Sequence, residues 1–446
     1  MKNITRRTFA LLLTAALLLL AVCSCSSRPS ALLTLDHEGI RVSVSVNEYR
    51  FLLARLKGAF IGYGYTDENG ANASQDSFWT LLDTYDGETL QSRDDYYRAA
   101  VLENARRYLV GLWLFEKNKL TLSDTAKENI QQELDDILAD YGSGSKTRLN
   151  AVLSAYGVNY DLLREAFEIE AKCETVMNFL YGVDASGVGN NVKDQYLNAH
   201  YLRFRQIFFA NYSYVYCTDA NGDTVYYDKE TGKILYDTVN GFPHTDTSGE
   251  RLCDSDGQVI RYVSYDSGRI AYDKQNGTPA IDYDSSGTAL TREMTEEERA
   301  VAETHAKDLA ESAKEFSDSE FEAAILEENG QSTYTDGYYL LRGADFSSAD
   351  GAETLTLIAE QLETMEVGQT ALVVSSSGWH VIRRYAPTSG AYNDAANEAW
   401  FTTFADGLME ELFEKECQEY LGLIRMDDAV YATVPPIREI EANYYF

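Results

Sequence analysis

The chain has 446 residues, more than one ordinary hydrophobic core accommodates, so two or three domains are expected. Acidic residues outnumber basic ones by 71 to 38, and the formal net charge is −33. This charge argues against nucleic-acid binding, which requires a basic surface, so no nucleic-acid partner is predicted. A hydrophobic content of 45% is typical of a folded chain and not of a disordered one.

The N-terminus has the pattern of an export signal. A charged region with Lys2, Arg6 and Arg7 precedes an apolar run over residues 9–22. This run is short for a membrane helix and has the length of the apolar part of a signal peptide. The pair Arg6-Arg7 also resembles the start of a twin-arginine signal, so the general and the twin-arginine export routes both stay open.

The Cys-Ser-Cys after the apolar run resembles a bacterial lipobox. Of its two cysteines, Cys25 follows the small Ser24 and is favoured over Cys23 as the lipidated residue. A lipoprotein signal peptide over residues 1–24 and a tether over 25–34 are therefore expected. The mature chain is then lipid-anchored to the cell membrane, on its extracytoplasmic face.

The remaining cysteines are Cys173, Cys217, Cys253 and Cys417. Their spacing matches no zinc pattern, and neither a metal nor another cofactor is predicted. Cys217 and Cys253 lie in one segment, and in an oxidising compartment they either form a disulfide or stay free as buried thiols.

Residues 35–200 predict one strand followed by helices. Alternating apolar residues over 35–46 indicate the strand, and Asn47 is a candidate cap for a helix over 48–61. Later helices each have a polar residue near the start and a Gly near the end. Their predicted spans are 94–119, 125–141, 146–156, 160–181 and 191–199, with an amphipathic helix over 393–423 and an extended tail over 424–446.

Residues 211–290 are rich in Tyr, Asp and Gly, with turn patterns throughout. Asp-x-x-Gly between β-forming residues repeats loosely, and this combination favours hairpin turns. The stretches 219–223 and 254–257 are similar to calcium loops but lack the later carboxylate, so both are interpreted as turns. The segment predicts a β-hairpin module inserted into a larger domain.

A hairpin near the end of the chain carries the most specific pattern. A strand over 371–374, a Ser-Ser-Ser-Gly turn and a strand over 379–384 are predicted, with His380 on the second strand. Gly-aromatic-His-aliphatic-Ile at 378–382 resembles the last hairpin of the parvulin family of peptidyl-prolyl isomerases. The strand at 201–209 resembles the first parvulin strand, except that Gln206 stands where the family has its first His.

A helical block that follows a lipid anchor and precedes a parvulin-like strand resembles the foldases of the PrsA and SurA type. The resemblance implies an α+β protein with two domains. One is a helical chaperone domain over 35–200, completed by the helix at 393–423. The other is a parvulin-like α/β domain over 201–390 that carries the insert 211–290.

The resemblance also implies the site. His380 matches the second His of the family, Gln206 replaces the first, and Leu362 and Met365 form part of an apolar shelf for the substrate proline. The family's Cys or Asp falls near 329–331, where this chain has neither. Because a carboxamide forms hydrogen bonds but does not change protonation, isomerase activity is expected to be weak or absent.

The leading hypothesis is therefore an extracytoplasmic, lipid-anchored foldase that binds unfolded or partly folded secreted polypeptides, with weak or lost catalysis. The alternative is a non-enzymatic cell-envelope lipoprotein that binds a protein or a polymer through the Tyr-rich insert. The sequence contains no nucleophile elbow, no HExxH and no phosphate loop, so other enzyme classes are not favoured.

Overall fold

The computed structural model describes residues 30–67, 70–85, 87–243, 245, 262–264, 267, 269–330, 334–346, 349 and 351–443. Cys25, Cys253 and the expected signal peptide lie outside these residues. The chain forms two compact units, each of mixed helix and strand. The first contains the described residues up to Gly189 and those from Thr403 onward, and the second is Asn190–Thr402. None of the helices described is long and apolar enough to cross a membrane.

The first unit opens with a β-hairpin. Strand β1 (Ala31–His37) pairs antiparallel with β2 (Ile40–Ser45), and a third strand, Ile424–Met426, pairs with the other edge of β1. Glu38 and Gly39 join the hairpin with positive φ angles of 53° and 79°, as a two-residue type I′ turn requires. The prediction of a tether up to residue 34 was therefore wrong, because β1 begins at Ala31. The prediction of a single strand was also wrong, because the turn at Glu38 and Gly39 divides the apolar run into two strands.

Helix α1 (Val46–Gly62) is capped by Ser45, not by Asn47 as the sequence suggested. Ser45 and Glu48 form a reciprocal capping box, whereas the Asn47 side chain donates to the carbonyl oxygen of Gly157 at 2.5 Å. The other helices of the first unit are α2 (Asp76–Thr80), α3 (Arg93–Lys117), α4 (Asp124–Asp140), α5 (Lys146–Leu153), α6 (Tyr160–Tyr181) and the C-terminal helix (Phe404–Leu421). The strands Leu82–Asp83 and Gln91–Ser92 form a short hairpin before α3.

The segment after the C-terminal helix belongs to the core of the first unit. Val434, Ile437 and Ile440 are buried there. The Lys57 ammonium on α1 donates to the carbonyl oxygens of Arg438 and Ile440, at 2.9 and 2.7 Å. The prediction of an extended tail was wrong, because apolar side chains three residues apart fold this segment onto α1 in short turns that contain Asp428–Tyr431 and Ile437–Glu439.

The second unit is built on a four-stranded antiparallel sheet. Its strands are β3 (Tyr201–Ala210), β4 (Tyr338–Leu341), β5 (Thr370–Ser375) and β6 (Gly378–Tyr385), in the spatial order β4-β3-β6-β5. β3 and β6 are therefore central, and β6 is buried along most of its length on both faces. Helix α7 (Asn190–His200) precedes β3 and falls in this unit, not in the helical domain to which the sequence assigned it.

Helices cover both faces of the sheet. Helix α10 (Ala352–Thr364) packs on one face, over Phe204 and Ile382. Helices α8 (Glu296–Ser312) and α9 (Asp318–Asn329) pack on the other face, over Ile207 and Val381. Residues after β6 continue as 3₁₀ turns at Ala391–Asn393 and Ala395–Trp400, so the helix expected from residue 393 begins only at Phe404.

The described part of 211–290 consists of short antiparallel pairs joined by tight turns. The pairs are Tyr212–Tyr214 with Thr291–Glu293, Tyr226–Tyr227 with Thr278–Pro279, and Gly241–Pro243 with Tyr262–Ser264. Aspartate carboxylates accept backbone N–H groups within the turns, as Asp228 does from Glu230 and Thr231. Asp219 makes the same kind of turn in the stretch that resembles a calcium loop.

We expect Gly58→Ala to destabilise the first unit, by about 2 kcal/mol or more. A Cβ atom at position 58 would lie 1.7 Å from the carbonyl oxygen of Asn443, a backbone atom of the buried C-terminal segment. Gly62→Ala, on the same helix and with no described neighbour within 4 Å of its Cβ position, is the matched control. Urea denaturation should show Gly62→Ala neutral or more stable by up to about 1 kcal/mol. Equal stability of the two variants would contradict the packing of this segment on α1.

Candidate functional site

His380 and Gln206 meet on the two central strands of the second unit. The Nδ1 atom of His380 lies 3.0 Å from Oε1 of Gln206. In the strand register His380 is opposite Phe208, and Gln206 is opposite Ile382, so the two side chains are diagonal neighbours on one face of the sheet. The structure thus brings together the two residues that the sequence singled out for catalysis.

Two serine hydroxyls contact the other side of the imidazole, and a threonine hydroxyl contacts the serines. Nε2 of His380 lies 3.0 Å from Ser375 Oγ and 3.2 Å from Ser377 Oγ. Thr354 at the start of α10 donates to Ser375 Oγ at 3.0 Å, and the two serine oxygens are 2.8 Å apart. Sequence reasoning missed these groups, since it interpreted the Ser-Ser-Ser-Gly run only as a turn. The only indication of these hydroxyl groups in the sequence was that the serines lie within five residues of His380 on the same hairpin.

Burial keeps the imidazole neutral. His380 is only 4% exposed, and the Phe208 ring stacks on it with 4.8 Å between ring centroids. Burial lowers the pKa of His380 to about 4, because the charged form loses its hydration. Since Gln206 Oε1 only accepts, Nδ1 carries the hydrogen and Nε2 accepts from a serine hydroxyl.

Of residues 329–331, where the sequence resemblance leads one to look for a Cys or Asp, the structure describes Asn329 and Gly330. Asn329 ends α9, and its side chain both donates to the carbonyl oxygen and accepts from the N–H of Phe208, at 2.8 Å each. It therefore continues the backbone pairing of β3. Asp336 forms an ion pair with Arg203 at 2.9 Å and accepts a hydrogen bond from the Tyr339 hydroxyl at 2.5 Å. Both contacts hold the paired strands β3 and β4 together. Residues 331–333 lie outside the described part of the chain.

Leu362 and Met365 are not available to a ligand in this structure. Their side chains are 0% and 5% exposed and belong to the core beneath α10. The prediction that they form a substrate shelf is corrected for a physical reason: both side chains pack inward against the sheet. Phe208 and Leu355 are half-buried. Phe208 stacks on the imidazole of His380, whereas Leu355 follows Thr354 in the sequence and packs against the core beneath α10.

The site therefore offers hydrogen bonds without charge. The imidazole, the carboxamide and the hydroxyls form one connected network whose members are all neutral at pH 7. In the part of the chain that the structure describes, no group of three or more His, Cys, Asp or Glu residues is placed to hold a metal ion. Such a network can orient a polar substrate group, and it supplies no charged acid or base at neutral pH.

The low pKa of His380 predicts acid-sensitive stability. An unfolded His titrates near pH 6.5 and the folded one near pH 4, so its contribution is present above pH 6.5 and is lost as the pH falls towards 4. Between pH 7 and pH 5, wild type should lose roughly 2 kcal/mol more unfolding free energy than His380→Gln does. Urea denaturation at both pH values measures the difference. Equal pH dependence of wild type and His380→Gln would contradict the burial of a neutral imidazole.

Comparisons with known proteins find only distant likeness. No family model and no curated protein matches the sequence. The crystal structure of PrsA from Bacillus subtilis is 13% identical, with 80% of this chain and 94% of that chain covered and a TM-score of 0.19. A structure of the peptidylprolyl isomerase PrsA from Bacillus anthracis is 15% identical, with 69% and 91% covered and a TM-score of 0.20. This is a weak resemblance to the PrsA fold, and it says nothing about activity or site residues.

Proposed function

We propose that this protein is an extracytoplasmic, lipid-anchored foldase whose second unit is a parvulin-like peptidyl-prolyl isomerase domain with weak catalysis. The observation that carries the proposal is the contact between His380 and Gln206, 3.0 Å apart on adjacent central strands. The surrounding serine and threonine hydroxyls support it, because they complete a polar network beside the half-buried Phe208 ring.

Peptidyl-prolyl isomerisation needs only what this network provides. Rotation about an X-Pro amide is opposed by a barrier of roughly 18–20 kcal/mol, because resonance must be broken, and no covalent bond is made. A catalyst has to hold the proline ring on apolar surface and favour the twisted amide through hydrogen bonds. Phe208 supplies apolar contact beside the imidazole, and of the two serine hydroxyls at Nε2 of His380, the one that does not donate to Nε2 supplies a donor.

Weak catalysis follows from the composition of the network. The parvulin pattern pairs two imidazoles with a thiol or carboxylate, whereas this site has one imidazole and the carboxamide of Gln206. Asn329 uses both ends of its side chain on the backbone of Phe208 and adds no charge. The main contribution to folding is then the binding of unfolded or partly folded secreted polypeptides, with Cys25 as the lipid attachment that keeps the foldase at the membrane.

The test of the isomerase site is to restore the second imidazole. In a protease-coupled assay with a proline tetrapeptide, wild type should accelerate isomerisation weakly. Gln206→His should raise kcat/KM by about tenfold, or about 1.4 kcal/mol of transition-state stabilisation, and His380→Ala should abolish this gain. The control Gln132→His places the same side chain on α4 of the first unit and should leave the rate unchanged.

Two results would reject parts of this proposal. A high wild-type rate that collapses in His380→Ala would overturn weak catalysis while keeping the isomerase. No gain in Gln206→His would overturn the parvulin-like site. Client binding is measured separately as suppression of aggregation of a chemically unfolded protein, which His380→Ala should retain. Failure of wild type in both assays would reject the foldase.

A further inference from the structure

Three exposed tyrosines form a regular stripe at the start of the inserted segment. Tyr212, Tyr214 and Tyr216, here called the tyrosine stripe, are 36%, 38% and 40% exposed. The residues between them are less exposed, and the N–H of Val215 donates to the carbonyl oxygen of Leu290 on the returning chain. Tyr212 and Tyr214 lie on the strand that pairs with Thr291–Glu293, and their ring centroids are 5.9 Å apart. Tyr216 follows where the chain pairs with Ile281, and the alternation of side chains along an extended chain places all three tyrosines on one side of it.

The stripe begins directly beside the candidate site. The last residue of β3, Ala210, is paired with Gly378 of the His380 hairpin. Asn211 then donates from its backbone N–H to the carbonyl oxygen of Ser377 at 3.0 Å. One residue therefore separates the strand that carries Gln206 and Phe208 from the first tyrosine, and that residue is anchored to the serine turn of the site.

From this continuity we infer that the tyrosine stripe is an extension of the substrate site, which holds the unfolded polypeptide that flanks the proline bound at His380. The inference rests on the proposed function. The occupant is an extended, uncharged or mixed-charge polypeptide segment with apolar side chains, because the stripe offers aromatic faces and phenolic hydroxyls without a formal charge.

The dimensions set which ligands can use the stripe. At about 3.4 Å per residue, the stripe spans about 14 Å, and its far end lies at most about 27 Å from Phe208, which is opposite His380. A tetrapeptide with its proline at His380 does not reach this length. A segment with about eight or more residues beyond the proline does, so the stripe favours long unfolded chains over short peptides.

The experiment compares a short and a long ligand. The short one is the tetrapeptide Ala-Ala-Pro-Phe, and the long one carries the same Ala-Pro bond with ten alternating Ser and Leu residues on each side. Both are labelled with fluorescein, and fluorescence anisotropy gives their dissociation constants. The variant Tyr212→Ser/Tyr214→Ser/Tyr216→Ser should reduce the preference for the long peptide over the tetrapeptide by about tenfold.

A matched control makes the same chemical change elsewhere. Tyr63, Tyr65 and Tyr141 of the first unit are 80%, 49% and 36% exposed, and replacing all three by Ser should leave the preference for the long peptide unchanged. Circular dichroism and thermal unfolding of both variants verify that each is folded. An equal loss in control and stripe variants would overturn the inference, because it would show general apolar binding.

Three further outcomes decide the matter. Wild type that binds the long peptide no more tightly than the tetrapeptide overturns the inference. The inference is also overturned if the stripe variant keeps its affinity for the long peptide but sediments at a different velocity from wild type. The stripe is then a contact between copies of this chain. If wild type isomerises neither peptide, the proposed catalysis fails, yet a loss of long-peptide affinity confined to the stripe variant still supports the stripe as a binding surface.

Discussion

The pairing of β3 with β6 is the constraint on which the second unit depends. These strands pair over eight positions, from Ala210 opposite Gly378 to Arg203 opposite Tyr385. They are distant in sequence, so the pairing must offset a large loop-closure entropy. It does so by burying apolar residues on both faces, beneath α10 on one side and beneath α8 and α9 on the other. The same pairing places His380 beside Gln206.

A glycine makes the close approach of these strands possible. Gly378 has a φ angle of 147°, and a Cβ atom there would lie 2.1 Å from the carbonyl oxygen of Phe209. Any side chain at this position would push the end of β6 away from β3. The serine turn, the imidazole and the first residue of the insert all adjoin this point. The geometry of the network therefore depends on a residue that contributes no chemical group to it.

The sequence predicted the parts of the fold that local patterns specify. Helix periodicity gave α3, α4 and α6 to within two residues, and the alternation around His380 indicated a central strand. The contact of His380 with Gln206 was expected only through the family resemblance. The hydroxyl cluster was not predicted, since a serine run is ordinary turn chemistry until the hairpin folds. The burial of Leu362 and Met365 and the packing of the last residues on α1 depend on tertiary contacts, which no local pattern encodes.

The two units differ in how they can form as the chain is synthesised. The second unit is one continuous stretch, so its core can close as soon as that stretch has emerged. The first unit lacks its third strand and its C-terminal helix until residues beyond Thr403 arrive. Because Asn443 donates to the Ala54 carbonyl oxygen on α1, the packing around the first helix that the structure describes is completed only when residues near 443 have been synthesised. The N-terminal part of the first unit therefore keeps apolar surface exposed while the second unit folds.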